Sequence, residues 1–300
     1  LSSVYDEYLH VPFHNFNFAV NTAQFIFYEI IEGKLNLSLT KLELLALLVA
    51  SICHDMGHSN RDTAFNPKAQ MAFSVLYKDQ PVLETFHCSS IIHILSKPNC
   101  NILSGIDTEQ LTEFWKLLVD FVLAIDRTKH MRLLEKIQEV LTKKEGQFDI
   151  TNPINRAMLL KLVVICAIHA HMAREFGPEK PWCTSLCEEA FPRVDSRIEE
   201  TFVETSDGDI NIAKAQVNAL ETYYVPLFTT LAKIVPSLQP VAECVQENYL
   251  EWKDIVSPDP NRVSKRRKQA AEAGNNEEEE QINNGENVDD AANNEHANQS

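Results

Sequence analysis

The sequence predicts an all-α fold: a multi-helix domain over residues 1–257, followed by a disordered Asn-rich acidic tail over 258–300. Three observations carry this reading. Apolar residues recur at helical spacing in segment after segment between residues 14 and 254. No alternating strand run flanks an Asn-Gly or Asp-Gly turn, and the Asp207-Gly208 step lies in a polar stretch. Finally, residues 259–300 hold no aromatic residue and almost no large aliphatic one. Such a segment buries too little apolar surface to offset its ordering entropy.

Taken in order, His14 to Ile31 places Phe18, Val20, Phe25, Phe27 and Ile30 at helical spacing, and Gly33 follows as a stop signal. Leu39 to His54 opens on Thr40 with Glu43 three residues later, a capping-box pattern. It then becomes apolar on nearly every side, as a helix in the middle of a large core does. Further helices are predicted over Pro67–Tyr77, Val82–Leu95, Thr108–Ile125, Met131–Thr142, Ile154–His171 and Pro181–Phe191. A long one over Ile212–Thr230 and a last over Pro236–Asp254 close the set.

Composition narrows the function classes. Gly numbers only 8, and neither G-x-G-x-x-G nor G-x-x-x-x-G-K-[ST] occurs, so a Rossmann or P-loop phosphate cradle has no support. A net charge of −16 disfavours nucleic acid and anionic membrane surfaces as partners. Lys265-Arg266-Arg267-Lys268 is either a nuclear-localisation or polyanion patch or a solvated basic cluster. Seven Cys without a C-x-x-C pair fit reduced thiols, and the absence of a leader points to the cytoplasm. The longest uncharged apolar run, Leu44 to Cys53, is half the roughly 20 residues a membrane span needs. Because the chain starts at Leu1, it is expected to be a fragment.

The chemistry-bearing residues concentrate in His54-Asp55-x-x-His58 at the end of the most apolar helix. An adjacent imidazole and carboxylate can ligate one divalent metal, and the carboxylate can bridge to a second. The same pair can equally be a buried hydrogen-bonded couple. His58 falls on the same face if the helix continues, within reach of a bound phosphate. Two further groups stand out: Phe13-His14-Asn15 at the start of the first helix, and Leu83-Glu84-Thr85-Phe86-His87. By spacing alone, Glu84 and His87 read as a structural i, i+3 pair.

These blocks resemble the class I cyclic nucleotide phosphodiesterases. Phe13-His14-Asn15 through Ala19 is similar to that family's Tyr-His-Asn element, and His54 through Ala64-Phe65 to its His-Asp-x-x-His block. Gln80-Pro81-Val82 with Leu83 through His87 resembles its Leu-Glu-Asn-His-His element. Ala124-Ile125-Asp126-Arg127-Thr128-Lys129-His130 matches the Ala-Thr-Asp element, and Ala215-Gln216-Val217 with Pro226-Leu227-Phe228 the glutamine helix. The resemblance implies a helical domain with a two-metal pocket, zinc in the tighter site and magnesium in the other, that hydrolyses cyclic AMP or cyclic GMP. It further implies His14 as general acid, His54 and Asp55 as metal ligands, and Gln216 as the purine-binding glutamine. His58, Glu84, His87 and Asp126 fall to the phosphate and the shell around the metals. The family's domain usually carries several helices before the Tyr-His-Asn element, so such helices are expected upstream.

This chain departs from the pattern at two of four tight-site ligands. The first-helix His of the family falls on Phe18, with Asn17 pointing about 100° away. The later Asp falls on Ile168 within Cys166-Ala167-Ile168-His169-Ala170-His171. A one-residue shift would bring in His169, with His171 a turn on. In the base pocket the stacking aromatic falls on Ala219 and the base-contacting Asn on His171. The expectation is therefore a catalytically dead or very weak phosphodiesterase domain, with zinc and magnesium absent or weakly bound. It would bind cyclic nucleotide weakly or not at all, and act as scaffold, sensor or partner of an active phosphodiesterase subunit. The alternatives are an active enzyme with a rearranged metal site, or a phosphohydrolase acting on another substrate.

Overall fold

A computed structural model describes residues 1–58, 82–190 and 208–258. The expected helix over Pro67–Tyr77, the Ala64-Phe65 and Gln80-Pro81 pieces, the Lys265–Lys268 cluster and the tail lie outside the described residues. Among the described residues there are helices and no strands.

After a helical turn at Ser2–Tyr5, α1 spans Phe16–Glu32. It begins where the Asn15 side chain accepts from the backbone N–H groups of Asn17 and Phe18, at 2.9 and 3.2 Å, supplying two of the orphan donors of a helix start with a partner. Gly33 follows its last turn, where a Cβ would lie 2.3 Å from the Glu29 carbonyl, and the chain turns away at Lys34, which takes the left-handed conformation at φ +51°. α2, Lys41–Cys53, starts on the capping box: Thr40 Oγ1 accepts from Glu43 N at 3.1 Å, and Glu43 Oε2 accepts from Thr40 N at 2.7 Å. It packs against α1 and against α4, Thr108–Leu123, and buries Ala46, Leu47, Val49, Ala50 and Cys53.

α3 spans Val82–Leu95, α5 His130–Lys143 and α6 Pro153–Ile168. α6 is shorter than expected. The chain leaves the α-helix at His169 and continues as a 3₁₀ turn over Ala170–Ala173, which sends His169 and His171 in different directions. α7, Phe176–Ala190, begins five residues before the expected Pro181 start. Pro181 lies inside it and forgoes one bond near the helix start, to the Gly177 carbonyl.

The expected helix over Ile212–Thr230 divides into α8, Gly208–Ala219, a π turn over Leu220–Tyr224, and α9, Val225–Ile234. α10, Gln239–Val256, follows a 3₁₀ turn at Pro236–Leu238. It locks the region after α6: Asn248 Nδ2 donates to the Met172 and Arg174 carbonyls at 2.9 and 2.6 Å. Trp252 Nε1 donates to Glu179 on α7 at 3.1 Å. One large core runs through these helices, and a separate small cluster of Phe13, Phe18 and Ile168 lies beside it. All seven cysteines are free thiols. No described helix is long and apolar enough to cross a membrane.

Candidate functional site

Four segments bring the sequence-predicted residues together: the loop before α1, the turn after α2, α3, and the end of α6. α2 stops at Cys53, so His58 is not carried on a continuing helix as the spacing suggested. Gly57 takes the left-handed conformation, φ +73°, and turns the chain there, while its N–H donates to the Glu7 carbonyl at 2.9 Å.

His54 Nδ1 donates to the Ser51 carbonyl at 2.8 Å, which leaves Nε2 to face Asp55 Oδ2 at 3.0 Å. His87 repeats the arrangement from α3. Its Nδ1 donates to the Met56 carbonyl at 2.9 Å, and its Nε2 lies 3.9 Å from Asp55 Oδ1. Both Nε2 atoms are buried; that of His87 has no hydrogen-bond partner among the described residues, and that of His54 faces the Asp55 carboxylate. Burial pushes the Asp55 carboxyl up, but His54, His14 and His58 outweigh it and hold the group well below the ordinary carboxylate range.

Around this polar group the lining is apolar on one side. Phe13, Phe18 and Ile168 are 2, 3 and 7% exposed, and Trp182 and Leu186 pack against them. The Phe13 and Phe18 rings lie 4.5 Å apart, and Trp182 is 5.9 Å from Phe13. The cluster extends to the Phe18–His54 contact.

On the other side sits a residue that sequence reasoning missed. Glu189, near the end of α7, accepts at Oε2 from the backbone N–H groups of Phe13 and His14, at 2.7 and 2.9 Å. Its Oε1 lies 2.6 Å from His14 Nδ1 and 3.5 Å from His58 Nδ1. The His14 and His58 rings stack, centroids 4.0 Å apart and 25° between planes. Burial, then the charge of His14, drives the His58 imidazole down to about 4. No local signal marks Glu189: it stands 175 residues from His14, the second member of a Glu-Glu pair.

The remaining expected residues are placed less centrally. Glu84 is half-buried on α3; burial, and then the charges of Asp126 and Asp55, raise its carboxyl. Asp126 caps the turn Arg127–Lys129, its Oδ1 accepting from Thr128 N and Oγ1 at 3.0 and 2.6 Å. Gln216 on α8 is buried, and its Oε1 has no partner among the described residues. His171 is 1% exposed, its ring nitrogens have no hydrogen-bond partner among the described residues, and it packs 5.1 Å from the Phe13 ring; burial holds it down to about 3.

His169 belongs to a different network. Its Nε2 lies 3.2 Å from Tyr223 Oη, which also bonds His130 Nδ1, while His130 Nε2 donates to the Ala124 carbonyl at 2.9 Å. The one-residue shift that would bring His169 toward His54 therefore has a competing partner already in place.

Comparison with known proteins places this geometry in context. The sequence profile of the 3′5′-cyclic nucleotide phosphodiesterase family matches residues 13–245. The high affinity cGMP-specific 3′,5′-cyclic phosphodiesterase 9A of Pan troglodytes is 28% identical over 263 residues, 85% of this chain and 44% of its own length. The cGMP-specific 3′,5′-cGMP phosphodiesterase 3 of Dictyostelium discoideum is 28% identical over 258 residues, 84% of this chain and 54% of its own. The chain thus spans about half the length of these relatives. The crystal structure of the phosphodiesterase domain of the RhoPDE fusion protein from Salpingoeca rosetta shares the fold. Its TM-score is 0.76 at 23% identity, over 85% of this chain and 81% of that one.

Proposed function

The chain belongs to the 3′,5′-cyclic nucleotide phosphodiesterase family, and we propose that it keeps the family's fold while having lost the two-metal hydrolysis. It then works as a scaffold, as a weak cyclic-nucleotide sensor, or as the partner of an active phosphodiesterase subunit.

One observation carries this reading. Where the family resemblance requires a His and an Asp, Phe18 and Ile168 stand, and both are packed into an apolar cluster with Phe13 and Trp182. Neither side chain has a lone pair for a metal, and each puts hydrocarbon where an ion would need oxygen or nitrogen. The residues present do not fit the four-ligand zinc centre, since only His54 and Asp55 of its set remain. No hydrolytic step is therefore assigned through it. Zinc and magnesium of the family kind are expected to be absent or weakly bound.

The base side supports the same reading. Ala219 replaces a stacking aromatic beside Gln216, a change that costs about 1–3 kcal/mol where bases stack on aromatic rings. The relatives' names point to cGMP as the first nucleotide to test, followed by cyclic AMP.

A second reading, an active enzyme with a rearranged site, draws on the buried Nε2 atoms of His54 and His87, which flank the Asp55 carboxylate. Two lone pairs and a carboxylate facing one another suit a cation. The experiment that separates the readings is hydrolysis of cGMP and cyclic AMP by the purified chain with zinc and magnesium added. No turnover above a metal-free control supports the first. Metal-dependent turnover abolished by His54→Ala overturns it in favour of the second.

A further inference from the structure

We propose that His14, His58 and Glu189 form a divalent-cation site of the zinc class, displaced from the His54–Asp55 pair and joining three separate segments of the chain.

The ligand atoms of the three residues lie within 4.8 Å of one another. Two imidazoles and one carboxylate with a fourth position open is a common zinc donor set. Bonds of about 2.0–2.2 Å in a tetrahedron set neighbouring donor atoms about 3.3–3.5 Å apart. His58 Nδ1 and Glu189 Oε1 already stand at 3.5 Å. His14 Nδ1 lies closer, at 2.6 Å from the same oxygen, the spacing of a shared proton. Replacing that proton by an ion widens the gap by somewhat under 1 Å, a small rotation of an imidazole.

Several features hold the site in this form. Glu189 is 5% exposed, and its Oε2 is occupied by the backbone N–H groups of Phe13 and His14, which leaves Oε1 to act alone. Such bonds to the far side of a ligand orient it for a metal. The stacked rings bring the His14 and His58 edges to the same carboxylate oxygen. His58 Nδ1 is buried and has no hydrogen-bond partner among the described residues, which suits a lone pair waiting for an acid. His14 and His58 are 25 and 17% exposed, so one side stays open for entry of the ion and for a water in the fourth position.

An ion here ties the loop before α1, the turn after Gly57 and the end of α7 into one unit. Its role is to fix the fold on this side of the pocket, and it stands whether or not hydrolysis survives.

The test uses the full chain, stripped with a chelator and titrated with zinc against a chromophoric competitor, with cobalt as a spectroscopic replacement. One ion per chain is expected, with tetrahedral cobalt absorption and a higher melting temperature. Glu189→Gln and His58→Asn should each weaken zinc by about 100-fold or more, since loss of mere supporting partners already costs about 10–100-fold. His54→Asn should leave zinc affinity and the cobalt spectrum unchanged. Absence of bound zinc in the natural chain overturns the proposal. So does loss of binding in His54→Asn while His58→Asn retains it. Should Glu189→Gln fail to fold, the His58→Asn and His54→Asn pair decides by the same readouts. Hydrolysis is no part of this measurement, so a failed zinc titration and an active enzyme are separate results.

Discussion

Phe18 lies against the imidazole of His54, the ring centroids 5.6 Å apart and the planes tilted by 56°. A hydrocarbon ring thus occupies the space beside the one histidine that the family's tight metal site would share with it. Restoring the donors reverses the balance. Phe18→His with Ile168→Asp should destabilise the metal-free protein by at least about 3 kcal/mol, from lost apolar burial and a newly buried carboxylate. Zinc should recover most of that loss, and on the proposed reading metal-dependent hydrolysis of cGMP should rise above that of the natural chain. Melting curves with and without zinc, together with the hydrolysis assay, check both parts.

Gly57 fixes where His58 points. At φ +73° an L side chain is strained, and a Cβ would meet Phe86 Cε1 at 3.0 Å. Gly57→Ala should cost about 1–3 kcal/mol. In a domain of this size, that lowers the melting temperature by about 2–10 °C. Thermal unfolding measures it, and Gly57→Asn should cost less, because Asn tolerates the left-handed region better.

Glu29 is fully buried on α1, and neither carboxyl oxygen has a hydrogen-bond partner among the described residues. Burial pushes its carboxyl well above the ordinary range, so the folded protein holds it neutral. The unfolded chain ionises it above about pH 4.3 and releases a proton that the folded chain keeps. Its contribution therefore makes stability fall as pH rises above that point, until the folded group titrates. Glu29→Met should raise stability at neutral pH by about 1–3 kcal/mol and flatten this slope. Denaturant midpoints at pH 5, 6 and 8 distinguish that outcome from an unchanged slope.

Glu43 works in the opposite sense. Arg156 clamps it from α6, Nε donating to Oε1 at 2.6 Å and Nη2 to Oε2, while Arg156 Nη2 also donates to the Ser38 carbonyl at 2.7 Å. Partial burial raises the Glu43 carboxyl, but the Arg156 and Thr40 bonds outweigh it and hold the group low. This stability is present above the ordinary carboxylate range and is lost as pH falls through the folded value. Arg156→Met should cost about 1–2 kcal/mol at pH 7, the part-exposed clamp being screened by solvent. The cost should shrink toward pH 3, as urea titrations across that range would show.

What the sequence disclosed depended on how local the cause was. The capping box at Thr40 and Glu43 and the span Val82–Leu95 were readable because neighbouring residues set them. The break of the Ile212–Thr230 helix was not. Its π turn carries Tyr223, whose hydroxyl bonds His130 and His169, 93 and 54 residues away. Phe18 and Ile168, at positions where the family resemblance implies ligands, were visible as letters, but their packing with Phe13 and Trp182 was not. Glu189 was invisible for the same reason as the π turn: its partners come from the other end of the chain.

The base side offers the last test, and it separates a sensor from an inert scaffold. Gln216 is buried and its Oε1 has no partner among the described residues, so a ligand able to donate one hydrogen bond would relieve a standing desolvation cost of about 1–3 kcal/mol. Three residues on, Ala219 is half-buried and too small to stack on a base. If the pocket still admits a purine, Ala219→Phe should tighten a fluorescent cGMP analogue by about 5- to 100-fold, the equivalent of 1–3 kcal/mol of base stacking. Gln216→Ala should weaken the same ligand in either background if the buried amide reads the base edge, as the family resemblance implies. Fluorescence anisotropy with both single variants and the double variant measures the coupling. Tightening by Ala219→Phe that vanishes with Gln216→Ala assigns both residues to one nucleotide site. No tightening argues against a nucleotide site at Gln216 and favours a protein partner as the ligand of the domain.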